Sequence, residues 1–145
     1  MSLKIAVGGK GGVGKTTITS LIARSIAAMN KDKKVIAIDA DPVANLAAGL
    51  GIDETRPIKP ISELSELIAE RTGAQPGTTG GFFTLNPKVD DIPERFSVER
   101  DGVRLLVMGT VKKGGSGCIC PEATMLKALM NHLVLARNEV VVMDM

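Results

Sequence analysis

The sequence predicts an α/β domain in which a mostly parallel sheet is flanked by helices. Three observations predict it. Apolar runs at 4–7, 35–39 and 139–144 have the length and uniform hydrophobicity of strands covered on both faces. Stretches beginning near Thr17 and Pro121 space their apolar residues at a helical period. A glycine-rich loop joins the first run to the first helix, an order that suits a ligand held at the carboxyl end of a strand.

The 145 residues suit one domain, 1–145, and 44% hydrophobic residues supply a core. Lys and Arg number 18 against 16 Asp and Glu, a formal charge of +2 with no polyanion-binding signature. Aromatic residues are 2% of the chain, which argues against a base-stacking platform, so no nucleic-acid partner is expected. No run approaches the ~20 apolar residues of a membrane span, so no membrane partner is expected. MSLK leads directly into an apolar run and glycines rather than a signal peptide, and a cytoplasmic location is expected.

Lys4-Ile5-Ala6-Val7 reads as the first strand. Gly9-Lys10-Gly11-Gly12-Val13-Gly14-Lys15-Thr16 then satisfies G-x-x-x-x-G-K-[ST] at every fixed position, the phosphate-binding P-loop. Its glycines let backbone N–H groups approach phosphate oxygens, and the helix that follows turns its positive dipole end toward them. Gly9 through Thr17 are therefore the candidate nucleotide-binding residues, with Lys15 reaching the β- and γ-phosphates and Thr16 offering its hydroxyl to Mg²⁺. Ile18, Leu21, Ile22, Ile26 and Met29 carry the helical spacing onward. Val35–Asp39 is the second strand, and Asp39 and Asp41 follow at its carboxyl end, where both face the phosphates. Two carboxylates beside a triphosphate require a metal between them. Glu139–Asp144 is a further strand ending in an acid, the arrangement in which Asp144 holds Mg²⁺ through water.

Between these strands, residues 51–62 read as a connection. Ile61–Ile68 begins a short helix stopped by Gly73, and residues 73–95 form an irregular insertion. Phe96–Met108 resembles a hairpin turned at Asp101-Gly102. Asn86-Pro87-Lys88-Val89-Asp90 lacks the spacing of a guanine-reading box, so ATP is preferred over GTP. His132 is a helix residue of no special role, and Lys112 and Lys113 are solvated.

Gly114–Glu122 contains Cys118-Ile119-Cys120-Pro121-Glu122. Pro121 suits the first helical position and Glu122 the helix dipole, which puts Cys120 at the N-cap, where a thiolate is favoured. Leu126, Leu129, Met130 and Leu133 give that helix a core face. Two sulfurs do not complete a tetrahedral site, whereas two copies across a two-fold axis supply four thiolates. A redox pair, or two small loop residues, are the competing readings.

The second lysine of the loop, Lys10, gives Gly-Lys-Gly-Gly-Val-Gly-Lys-Thr-Thr, which resembles the deviant Walker A of the MinD/ParA/nitrogenase-iron-protein ATPases. Asp39-Ala40-Asp41-Pro42-Val43-Ala44-Asn45 matches the D-x-D-P-x-x-N pattern of that superfamily. The resemblance implies a P-loop NTPase fold, an Mg²⁺-dependent ATPase that binds ATP and ADP, and a homodimer in which Lys10 reaches the partner's nucleotide. It further implies that Lys10, Lys15 and Asp41 are catalytic, Asp41 acting on the attacking water, and that Thr16, Asp39 and Asp144 serve Mg²⁺. With Val103–Gly109, Gly114–Glu122 and the Val-Val-Met-Asp-Met ending, the chain is similar to the CooC-type carbon monoxide dehydrogenase accessory ATPases. That branch implies Ni²⁺ or Zn²⁺ held by Cys118 and Cys120 of two subunits, and delivery of nickel to apo carbon monoxide dehydrogenase. A MinD/ParA-type positioning or partition ATPase, an iron–sulfur redox protein and a nucleotide-binding remnant are the competing readings. Relatives of this kind run longer, so a domain incomplete at its C-terminus is expected, with an apolar strand edge left open.

Overall fold

Five strands form one sheet in the order β1-β5-β2-β4-β3. The computed structural model describes every residue except 1, 54, 56, 79, 80 and 111–119. In chain order the elements are β1 (Leu3–Val7), α1 (Lys15–Met29), β2 (Lys34–Asp39), α2 (Leu46–Gly49), a 3₁₀ turn (Ile61–Glu63), α3 (Ser65–Thr72), α4 (Ile92–Phe96), β3 (Val98–Arg100), β4 (Val103–Val107), α5 (Pro121–Leu135) and β5 (Glu139–Asp144). β1, β5, β2 and β4 are mutually parallel, and only β3 runs antiparallel, against β4. The expected α/β architecture, a mostly parallel sheet flanked by helices, is the one observed.

The uniform hydrophobicity of the strands follows from cover on both faces. Val35 and Ala37 of β2 join Val103, Leu105, Val140 and Val142 in a core beneath α1 and α2. Ile36 and Ile38 point the other way, into a core with Leu106, Val141, Met125, Leu129 and Leu133 beneath α3 and α5. Period-2 alternation of direction is therefore present even though the sequence shows none in polarity.

Four details refine or correct the sequence reading. α1 buries its small side chains, Thr19, Ser20, Ala23 and Ala27, while Ile18, Leu21 and Met29 are 49%, 56% and 80% exposed. On α5 the fully buried residues are Met125, Leu129 and Leu133, with Leu126 and Met130 partly buried beside them. The 73–95 insertion ends in a helix, α4, which takes Phe96 out of the hairpin and leaves β3 three residues long. The strand ending at Asp144 is not an edge. β5 lies between β1 and β2, and among the described residues the outermost strands are β1 and β3.

Candidate nucleotide site

Register brings the carboxyl ends of three strands to one level, with Val7 beside Asp144 and Asp144 beside Asp39. The ladder continues past the strands, since Ala40 N–H donates to Asp144 O at 2.9 Å and Met145 N–H to Val7 O at 3.1 Å. The glycine loop leaves β1 at this level and enters α1 through Gly14, whose φ of +92° lies in the left-handed region. Glycine adopts that conformation without steric penalty at the point where the chain enters α1.

Lys15 and Thr16 open the helix, and both bond across to the other elements. Lys15 Nζ donates to Met145 O at 2.6 Å and stands 3.4 Å from Asp41 Oδ2. Thr16 Oγ1 donates to Asp144 Oδ2 at 2.6 Å. Asp144 is fully buried, and its other oxygen, Oδ1, has no hydrogen-bond partner among the described residues. A buried carboxylate oxygen without a partner is costly unless a cation or water meets it. Together with the Thr16 hydroxyl it forms an all-oxygen donor set suited to a hard cation such as Mg²⁺.

The two aspartates beyond β2 differ in environment. Asp39 is 1% exposed, and its carboxylate accepts from the amides of Asp41 (3.2 Å) and Leu46 (2.9 Å). Burial pushes its carboxyl up from the ordinary range, against the pull of those two amides, and the neighbouring Asp144 and Asp41 charges push the same way. Asp41 reaches the surface. The Val43 amide, donating to it at 2.8 Å, holds its carboxyl below the ordinary range, and Lys15 adds to the effect. It is therefore ionised at neutral pH and faces the P-loop lysine.

The structure thus pairs Lys15 with Asp41 and Thr16 with Asp144 at one end of the sheet, with Asp39 beside Asp144 in the strand register. Lys10 and Val13 are exposed on the loop and Val43 is exposed beside Asp41, so the nucleotide side of the molecule carries an open cationic and apolar rim. Cys120 is the N-cap of α5, with Pro121 in the first turn and Glu122 following, as the sequence predicts. Cys120 is buried. Cys118, Lys112 and Lys113 lie outside the described residues, and among the described residues no group of three or more His, Cys, Asp or Glu side chains is placed to hold a metal. Sequence reasoning missed three contacts. They are the Met145 carbonyl as acceptor for Lys15, the Leu46 amide on Asp39, and the Gly77 amide, which donates to Glu122 Oε1 at 2.7 Å and ties the insertion to α5. Backbone groups carry no residue-type signal, so no motif announces them. Among the described residues no helix is long and apolar enough to cross a membrane.

Residues 4–145 match the family described as the CobQ/CobB/MinD/ParA nucleotide binding domain. The chain is 50% identical over 145 residues to the carbon monoxide dehydrogenase accessory protein CooC of Rhodospirillum rubrum, covering 99% of this chain and 54% of that protein. It is 47% identical over 143 residues to an uncharacterized ATP-binding protein of Methanocaldococcus jannaschii, covering 99% of this chain and 54% of the relative. A second such protein of that organism is 32% identical over 145 residues, covering 98% of this chain and 57% of its own length. The chain spans about half the length of the curated relatives it matches.

Proposed function

Because the chain belongs to the CobQ/CobB/MinD/ParA nucleotide-binding family, we propose that it acts as an ATP-hydrolysing, homodimeric accessory ATPase that assists nickel insertion into carbon monoxide dehydrogenase. The observation that carries the ATPase part is the convergence of the Lys15 ammonium, the Thr16 hydroxyl and the Asp41 and Asp144 carboxylates at one level of the sheet. The accessory role is supported by the 50% identity to CooC.

In this reading the loop amides of residues 9–17 bind the phosphates, and Lys15 leaves the Asp41 carboxylate and the Met145 carbonyl for the β- and γ-phosphate oxygens. ATP thus replaces one carboxylate and one carbonyl partner with phosphate oxygens. Thr16 and Asp144 hold Mg²⁺, which supplies charge neutralisation at the phosphates when bound. Asp41, freed from Lys15, orients the attacking water and takes up its proton. Lys10, exposed at the rim, reaches the partner's nucleotide and stabilises phosphate charge there. Domain 1–145 supplies the nucleotide half of the function, and Cys118 and Cys120 of two protomers hold the Ni²⁺ or Zn²⁺ cargo between subunits. Cys120 stands at the N-cap of α5, at the start of a helix on the described side of that site. Apo carbon monoxide dehydrogenase is the acceptor, and the cytoplasm is the compartment.

The test is an anaerobic nickel titration of the full-length protein, read by mass in solution, with Cys118→Ser/Cys120→Ser as control. One metal per two chains, lost in the double variant, supports the nickel reading. Absence of bound metal, with dimerisation governed by ATP alone, moves the function to the positioning or partition ATPases of the same family.

A further inference from the structure

Helix α2 is four residues long, and its N-cap Asn45 makes no side-chain cap bond. A helix that short does not sustain itself. One side borders a cavity of about 200 Å³ lined by Ala44, Asn45, Ala47, Ala48 and Pro57 together with Asp39, while the Leu46 side chain is buried in the core on the other. Its first amide, that of Leu46, donates to Asp39 Oδ2 at 2.9 Å, and both residues are buried. Asp39 Oδ1 takes the Asp41 amide at 3.2 Å. One carboxylate therefore fastens both ends of segment 41–46.

The opposite end of α2 lies against the P-loop helix. A methyl group at Gly49 would stand 3.2 Å from Ser20 Cβ and Oγ and 3.5 Å from Thr16 Cγ2. Glycine lets α2 approach the first turns of α1 this closely, and any Cβ at this position requires Ser20 to give way by a few tenths of an ångström.

We infer that Asp39 is a positioning residue, and that the brace from Asp39 through α2 to Gly49 sets Asp41 and Thr16 in register across the site. Asp39 acts on the metal and the water only through these two residues. The functional consequence rests on the ATPase reading, whereas the brace itself does not. Asparagine is nearly isosteric with aspartate but turns a donor toward one of the two amides, leaving that N–H buried without an acceptor.

The experiment compares full-length wild type with Asp39→Asn and Gly49→Ala. Three quantities are read: amide hydrogen exchange over residues 41–46, the Mg²⁺ half-saturation for binding a fluorescent ATP analogue, and the separate kcat and KM for ATP. For Asp39→Asn we expect exchange over 41–46 to quicken at least about tenfold and kcat to fall by a similar factor. ATP KM should stay within about threefold, and Mg²⁺ half-saturation should rise only together with the quickened exchange, because the donors Thr16 and Asp144 are retained while Thr16 loses its register. Gly49→Ala, which leaves Asp39 in place and keeps the variant series interpretable if Asp39→Asn does not fold, should lower kcat by about threefold or more with the same unchanged KM. Unaltered exchange in Asp39→Asn, or a rise in Mg²⁺ half-saturation of about tenfold with unaltered exchange, would overturn the inference, the latter making Asp39 a direct metal donor. An unchanged kcat in Gly49→Ala would also overturn it. If wild type hydrolyses no ATP, the proposed function fails, and the exchange comparison still decides the brace.

Discussion

Gly109 lies two residues past the end of β4, and the structure makes it intolerant of any side chain. Its φ is +77°, and a Cβ there would meet Ser62 Oγ and stand 2.7 Å from Pro60 Cβ. Neither neighbour yields easily. Pro60 is a rigid ring, and the Ser62 amide is tied to Met108 O at 3.0 Å. For Gly109→Ala, the left-handed conformation costs about 1–2 kcal/mol. Forced overlap adds about 1–3 kcal/mol, so the loss is about 2–5 kcal/mol. Gly51 is the matched control. Its φ is +71° and nothing lies within 4 Å of its Cβ position, so Gly51→Ala loses only the conformational part. The difference between the two variants, about 1–3 kcal/mol, isolates the overlap. With a urea m-value of about 2 kcal/mol/M, Gly109→Ala should unfold about 0.5–1.5 M earlier in urea than Gly51→Ala. Equal midpoints for the two variants would refute the packing argument and leave backbone strain as the whole effect.

Thr16→Ala removes the hydroxyl that reaches Asp144 at 2.6 Å, and the Mg²⁺ needed for half-maximal ATP binding should rise about tenfold or more; an unchanged Mg²⁺ titration would remove Thr16 from the metal set. Lys10→Ala should leave ATP affinity within about threefold while turnover falls about a hundredfold, checked by equilibrium binding alongside phosphate release. Arg71 grips Asp91 through two bonds of 2.7 Å, and that guanidinium, helped by Arg95, holds the Asp91 carboxyl far below the ordinary range. A depressed folded-state pKa means the stabilisation is complete above the unfolded value of about 3.9 and is lost as pH falls toward the folded one. Chemical denaturation should therefore show a gap between wild type and Asp91→Asn that is flat from pH 8 to 5 and narrows only below about pH 4. A gap that narrows above pH 5 would mean the clamp is not what depresses Asp91.

Much of the site was legible before any coordinates, because its chemistry is written in side chains at fixed spacing. Gly9–Thr17 reads as a phosphate loop from its glycines and Lys15, and the two acids at 39 and 41 read as strand-end carboxylates from the apolar run before them. What those carboxylates touch was not legible. Asp39 and Asp41 lie two residues apart and look equivalent, yet one is buried on the amides of Asp41 and Leu46 and the other faces Lys15 at the surface. That difference is set by where α2 packs, a long-range fact without a local pattern. Which face of α1 is buried was not legible from its helical spacing either. The buried side chains of α1 are Thr19, Ser20, Ala23 and Ala27, since close approach selects small volume over apolar character.

By itself, then, the sequence determined the main strands, the two long helices, their mainly parallel arrangement and the phosphate-loop motif, because periodicity, glycine placement and charge act over a few residues. Tertiary structure alone decided the strand order, in which β5 inserts between β1 and β2 and carries Asp144 to Thr16 from 128 positions away. It also decided that Asp39 fastens a helix and that Gly49 lets that helix lie against Thr16. These are contacts between segments remote in the chain, made through backbone amides and through the absence of a side chain, and they exist only once both faces of the sheet are covered.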